Sequence, residues 1–328
     1  MWEKLIEVKI REFFYKKFRY VILVGFILFI AFGMVFINSA FFRFSNLMNL
    51  VQQISVLSIV AIGMTFVIIS KGIDLSVGSN LAFAGALGVY VVNLTGNAFL
   101  GMLVSLIAGA SIGLLNGLMI GRFKISPFMA TLATMVLARG LTIWITDADS
   151  VWVKNKLFLW LGQAYIGRVP AVLFPVVVSL YLGNLFLKNM VFGRNTFAIG
   201  GNIMAARAAG VKPARQIVYT FMLCGAIVGL ASVIAVGRMS SAQPWAGQGL
   251  EFEVITAVVL GGTSLRGGEG SMMGTLFGAI LIGVLGNSLA LLNIPAWYLN
   301  IIRGVVLIVA VLLDRAGLLT LQARAKVR

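Results

Sequence analysis

The sequence predicts an all-α, polytopic membrane protein of about ten transmembrane helices, some of them broken or re-entrant. Three observations carry that expectation. Of the 328 residues, 60% are hydrophobic and only 11% are charged, against roughly 25% charged in a soluble domain. The apolar residues fall in runs of about 20, the length that crosses the hydrocarbon core as a helix. The charges lie almost entirely between those runs.

The net charge of +16 fits either a nucleic-acid surface or the basic cytoplasmic loops of a membrane protein. Position decides for the loops, and no nucleic-acid partner is expected. Lys4, Lys9, Arg11, Lys16, Lys17 and Arg19 precede the first apolar run, which opens at Tyr20. Basic flanks stay on the cytoplasmic side, so residues 1–19 are read as a cytoplasmic N-terminal segment. The run at 20–38 is long enough to span, and no small-residue cleavage site closes a shorter apolar region, so it is read as a helix rather than a removed signal.

Nine further spans are read at about 47–70, 79–94, 97–120, 127–146, 171–187, 216–236, 252–262, 271–290 and 297–313. With the N-terminus inside, the cytoplasmic segments hold 19 of the 26 Lys and Arg residues and the outer loops hold five, Arg43, Lys154, Lys156, Arg168 and Arg238. That asymmetry places both termini in the cytoplasm and requires an even number of crossings. The organisation is one transmembrane domain over 20–314, with a basic tail at 315–328.

Two stretches interrupt the helical pattern. The eighth span is short and runs into LGGTSLRGGEGSMMG, and residues 71–79 read KGIDLSVGS. Both are too polar or glycine-rich for lipid and are expected to be broken elements buried in protein. Gly113, Gly117 and Gly121 repeat the small-xxx-small spacing that lets helices approach closely. Arg139-Gly140 and Arg303-Gly304 sit in similar apolar settings, which hints at an internal duplication. Intramembrane arginines are costly unless paired, so both are expected to bond helix-end carbonyls or a carboxylate.

The chemistry available to the chain is narrow. Histidine is absent and cysteine occurs once, at Cys224, which removes His-based catalysis, His/Cys metal sites and disulfides within the chain. No metal and no cofactor is expected on it, and it is not read as an enzyme. No GxxxxGK[ST] phosphate loop occurs, and carboxylates stand at span ends rather than inside. Ion coupling needs interior titratable groups, so uphill transport would draw its energy from another chain.

The cytoplasmic loop 188–215 is more than a connector. Asn202 suits an N-cap, Met204 to Ala209 are helix formers, and Gly210 followed by Pro213 suits a helix end. A two-turn helix beneath the membrane results, with a small face through Ala205, Ala206 and Ala209 and with Arg207 projecting. It is either a docking element for a partner or an ordinary interfacial helix.

The strings GMTFVIISKGIDLSVGS, GRNTFAIGGNIMAARAAGV, MSSAQPWAGQGLEFEVITAVVLGGTSLRGGEGSMMGTLFGAILIG and IIRGVVLIVAVLLD resemble the membrane permeases of ribose-type sugar ATP-binding-cassette importers, over about 42–314. The resemblance implies a type II-like importer permease in a bacterial cytoplasmic membrane. It also implies two permease chains, as a homodimer or pseudo-dimer, around the pathway. It further implies two cytoplasmic ATPase units that carry ATP and magnesium and bind the loop helix. By the same resemblance, a periplasmic or extracellular binding protein is expected to deliver a monosaccharide. The family's glycine-asparagine-alanine loop maps onto Gly200, Gly201, Asn202, Ala205, Ala206 and Gly210; Ala209 stands where many relatives have serine.

A sugar route needs hydrogen-bonding groups without trapping charge. Gln52, Gln53, Asn80, Asn116, Thr131, Thr134 and Asn287 are the candidates within spans, Gln52 and Gln53 foremost; each could equally satisfy a neighbouring helix backbone. Asp74 is either a gate or a structural cap. The reading set against an ATP-driven importer is a stand-alone secondary carrier or facilitator for a small neutral solute.

Overall fold

A computed structural model of the chain describes residues 21, 23–34, 36–295, 297, 298 and 300–312. The basic segments expected at 1–19 and 315–328 lie outside them. Helices dominate: α1 (Leu23–Met34), α2 (Phe44–Ile69), α3 (Val77–Thr95), α4 (Ala98–Gly121), α5 (Pro127–Thr146), α6 (Lys156–Gln163), α7 (Leu173–Lys188), α8 (Val191–Gly201), α9 (Ile203–Ala208), α10 (Pro213–Met239), α11 (Leu250–Leu260), α12 (Met272–Leu291) and α13 (Asn300–Leu312). Local chemistry sets many of the ends. The Asn97 side chain accepts Leu100 N–H at the start of α4, and Ser126 precedes Pro127 at the start of α5, both favoured N-terminal arrangements.

Among the described residues, six helices (α2, α3, α4, α5, α10 and α12) are long and apolar enough to cross a membrane. A seventh counts if α7 and α8, bent by 66° at residues 189–190, are taken as one span. Helices α1 and α13 are apolar but shorter. Each expected run contains a helix, so the all-α multi-pass architecture stands, while six or seven of the ten expected crossings qualify by length.

Helix α2 is the central post. Every residue from Ser55 to Ile69 is buried, as expected of a helix apolar all round, and α7, α10, α11 and α12 pack around it. Helices α4 and α10 form the closest pair. A Cβ added at Gly113 would lie 2.2 Å from the Phe221 carbonyl oxygen, and one at Gly225 would lie 2.3 Å from that of Gly109. The glycine ladder read from the sequence is therefore a backbone-to-backbone contact.

The loops gather at two faces. On one, the two-residue strands β1 (Val151–Trp152) and β4 (Ser241–Ala242) pair antiparallel, and β2 (Tyr165–Ile166) pairs with β3 (Val169–Pro170). On the other lie Lys71, the α8–α9 elbow and the glycine-rich loop 261–270.

Candidate functional site

A cavity of about 200 Å³ opens between α2, α3, α10, α11, α12 and α13. Its polar wall is made by Gln53, Arg238, Glu253 and Arg303, and Leu57, Leu81 and Ile282 supply apolar wall. Arg303 Nη2 lies 2.8 Å from Glu253 Oε1, with the two side chains 34% and 19% exposed, and Arg303 Nη1 donates to Asn300 Oδ1 at 3.3 Å. Arg238 is exposed and, among the described residues, has no ion-pair partner. Gly283 keeps the wall tight: a Cβ there would meet Ile54 Cγ1 at 2.2 Å.

Of the route candidates, Gln53 alone lines this cavity. Gln52 donates to the Tyr165 hydroxyl at 3.2 Å on the exposed surface. Asn80 is buried, its Nδ2 donating to the Gly109 carbonyl at 3.1 Å. Asn287 exchanges two hydrogen bonds with Asn46, at 2.9 and 3.0 Å. Arg238, Glu253 and Arg303 were not among the route candidates; the sequence marked Arg303 only as an intramembrane arginine in need of a partner, and Arg238 only as an outer-loop charge.

Asn116 belongs to a buried cluster around Asp74. The Asp74 carboxylate accepts the Ser76 N–H at 2.9 Å, the Ser76 hydroxyl at 2.6 Å and the Asn116 amide at 3.4 Å. Asn116 Nδ2 also donates to Ser76 Oγ at 2.9 Å, and its Oδ1 accepts the Thr134 hydroxyl at 2.6 Å. Thr131 donates to the Ile73 carbonyl at 3.3 Å. The break at 71–76 is thus stitched to α4 and α5. Burial pushes the Asp74 carboxyl above its ordinary range, and the hydrogen bonds from Ser76 and Asn116 work against that rise. Arg139 donates to the carbonyls of Pro244 and, at 3.0 Å, Ala246. Arg303 therefore has the carboxylate partner expected of it, while Arg139 bonds carbonyls of the turn before α11 rather than of a helix end.

The loop helix forms where its cap chemistry places it. Asn202 Oδ1 accepts Met204 N–H at 2.9 Å and Ala205 N–H at 3.1 Å, Gly210 takes φ +84°, and Pro213 opens α10. Its orientation differs from the expected small face. Ala206 is buried within the chain, while Ala205, Arg207 and Ala209 are exposed. Ile203 and Met204, 42% and 68% exposed, supply an apolar open side that the alanine pattern did not suggest.

Helix α8 was not anticipated, and it joins the two chain breaks. A Cβ at Gly200 would lie 1.8 Å from the Ile69 carbonyl oxygen and 2.4 Å from Gly268 N, whereas Gly201 has open space. Gly268 N–H donates to the same Ile69 carbonyl at 2.9 Å, and Lys71 Nζ approaches the Gly201 carbonyl at 3.5 Å. Gln216 donates to Phe192 O and Thr196 Oγ1, each at 3.0 Å, fixing α8 to α10.

Comparison with known proteins adds three findings. The family described as branched-chain amino acid transport system / permease component matches residues 46–311. The ribose import permease protein RbsC of Escherichia coli K12 is 42% identical over 84% of this chain and 87% of its own length; that of Bacillus subtilis 168 is 41% identical over 85% and 87%. The L-arabinose transport system permease protein AraH of Escherichia coli K12 is 40% identical over 87% and 89%. No solved structure matches the chain.

Proposed function

The chain belongs to this family of transport permease components, and on that premise we propose how it works, as the membrane permease subunit of an ATP-binding-cassette importer for a monosaccharide. It is a transport subunit and not an enzyme. The sugar class follows relatives named for ribose and L-arabinose, at 40–42% identity over most of the chain. A self-contained carrier is not favoured by that kinship.

The observation that carries the mechanism is continuity. Helices α2, α11 and α12 line the cavity, and the end of α2 and the α11–α12 loop meet α8 at Ile69, Gly268 and Gly200. In this reading the Lys71 face is cytoplasmic. A partner ATPase, carrying ATP and magnesium, seats against Ile203, Met204 and Arg207, with Gly200, Gly201, Asn202, Ala205, Ala209 and Gly210 shaping the elbow. Ala206 holds α9 to the permease. Movement of that elbow shifts the two breaks and so the cavity walls. A binding protein delivers the sugar at the opposite face, where β1 pairs with β4.

Finer features of the reading follow from the same placement. Ten crossings are reached if α1, α7, α11 and α13 join the six long helices, α11 being completed by its glycine-rich loop. Two permease chains enclose the pathway, and both termini are cytoplasmic. Gln53 belongs to the route, with Gln52 at its edge. Asp74, Asn80, Asn116 and Asn287 hold the helices that frame it, Asp74 acting as a cap. No cofactor or metal is carried by the chain itself.

The test is uptake into proteoliposomes holding permease, ATPase and binding protein. ATP-dependent accumulation of D-ribose or L-arabinose is expected, and it should stop with an ATPase that cannot hydrolyse ATP. Accumulation by the permease alone under a proton or sodium gradient would replace this mechanism by a secondary carrier.

A further inference from the structure

We propose that Glu253 and Arg303, with the Gln53 amide and the Arg238 guanidinium, form a hydroxyl-reading station inside the permease that accepts one neutral monosaccharide ring. The proposal rests on the monosaccharide reading above and deepens it by assigning where the sugar is held. An ion pair among apolar helices is costly compared with well-packed apolar residues. Arg139 shows another arrangement, with its guanidinium bonded to backbone carbonyls. Arg303 instead pairs with a carboxylate on a cavity wall, and both side chains stay partly open at 34% and 19% exposure.

That openness leaves bonding capacity free. A guanidinium offers five donors and a carboxylate about four acceptor sites; the contacts of Arg303 Nη2 with Glu253 Oε1 and Nη1 with Asn300 Oδ1 use few of them. A sugar hydroxyl both donates and accepts, so two neighbouring hydroxyls can give a proton to Glu253 and receive one from Arg303 as charge-assisted bonds. The pair is neutral in itself, and Arg238 on the same wall adds one further set of donors and a net positive charge, so recognition rests on the hydroxyls rather than on exclusion of ions. Leu57, Leu81 and Ile282 provide apolar wall for the C–H face of a ring. The volume of about 200 Å³ falls below the roughly 300–1,000 Å³ usual for small-molecule pockets, which suits one ring rather than two.

The experiment places a reporter cysteine at Met239, another cavity-lining residue, in a Cys224→Ala background. The permease is assembled with its ATPase and binding protein, and alkylation by N-ethylmaleimide is timed. D-ribose or L-arabinose should slow the reaction several-fold, while tetrahydropyran, a ring without hydroxyls, should not. In Glu253→Gln, and in the Glu253→Gln/Arg303→Gln pair, which keeps the net charge of the cavity unchanged, the half-protecting sugar concentration should rise about tenfold. Unchanged protection in the double variant would show a purely structural pair and overturn the proposal. Equal protection by tetrahydropyran would overturn the reading of hydroxyls. If neither sugar protects in a complex that still transports one of them, the station is wrong while the importer reading stands. A complete complex that moves no monosaccharide would overturn both.

Discussion

Single residues at the Lys71 face separate contact from mere proximity. Gly200 has the Ile69 carbonyl and Gly268 directly against it, and Gly201, one residue on, faces open space. Gly200→Ala must therefore push α8 away from both breaks, and loss of most ATP-driven uptake is expected while the ATPase still co-purifies; Gly201→Ala should keep near-normal uptake. Equal uptake by the two variants would remove the junction from the mechanism. A second site is Asn116, which bonds Asp74, Ser76 and Thr134 at once. Asn116→Leu strands buried partners and should cost about 1–3 kcal/mol, read as a lower Tm of the detergent-solubilised permease; an unchanged Tm would mean that water or a shifted side chain replaces the amide. Sequence chemistry sufficed for Asn202, Gly210 and Pro213, because caps act through neighbours two or three residues away. It could not pair Glu253 with Arg303, which are brought together only by the packing of α11 and α13.

Among the helices, the close-packing face of α4 in the α4–α10 seam was legible, though not α10 as its partner, and α8 was not, for the same physical reason seen from two sides. Glycines at every fourth position in an apolar run announce close packing, and Gly113 indeed meets the Phe221 carbonyl. In VFGRNTFAIGG three glycines read as a loop, since each costs a helix about 1 kcal/mol relative to alanine. Tertiary contact overrides that cost: a Cβ at Gly193 would lie 2.0 Å from the Leu187 carbonyl oxygen, so the bend between α7 and α8 requires glycine there. Gly113→Ala should overpack the seam and cost about 1–3 kcal/mol, visible as a lower Tm and poorer yield from membranes. Gly140→Ala, in the same kind of apolar helix but with open space around it, should be neutral or stabilise by up to about 1 kcal/mol. Matching losses at both positions would mean that the seam is no tighter than the lipid-facing surface.

Across the whole molecule, the lateral positions of the helices were less legible than their existence. Charge placement orders the crossings along the chain but carries no information on which helix stands at the centre, so the cavity, assembled from six helices, could not be read from any one run. The orientation does admit a direct check. In a Cys224→Ala background, a cysteine at exposed Asp149 should react with an impermeant maleimide added outside intact cells, and one at exposed Arg194 only after permeabilisation; the reverse pattern would invert the molecule and detach α9 from a cytoplasmic motor. The central position of α2 has a further consequence, for biogenesis. This helix leaves the ribosome well before α10, α11 and α12, the neighbours that finally enclose it, have been made, so it must first rest in lipid as a newly inserted segment. Its composition suits that wait: it is apolar enough to span alone, and the hydroxyls of Ser55 and Thr65 bond back to the carbonyls of Val51 and Ala61 in the same helix. The segment most enclosed in the finished permease is thus one that lipid can host while the rest of the chain is still being translated.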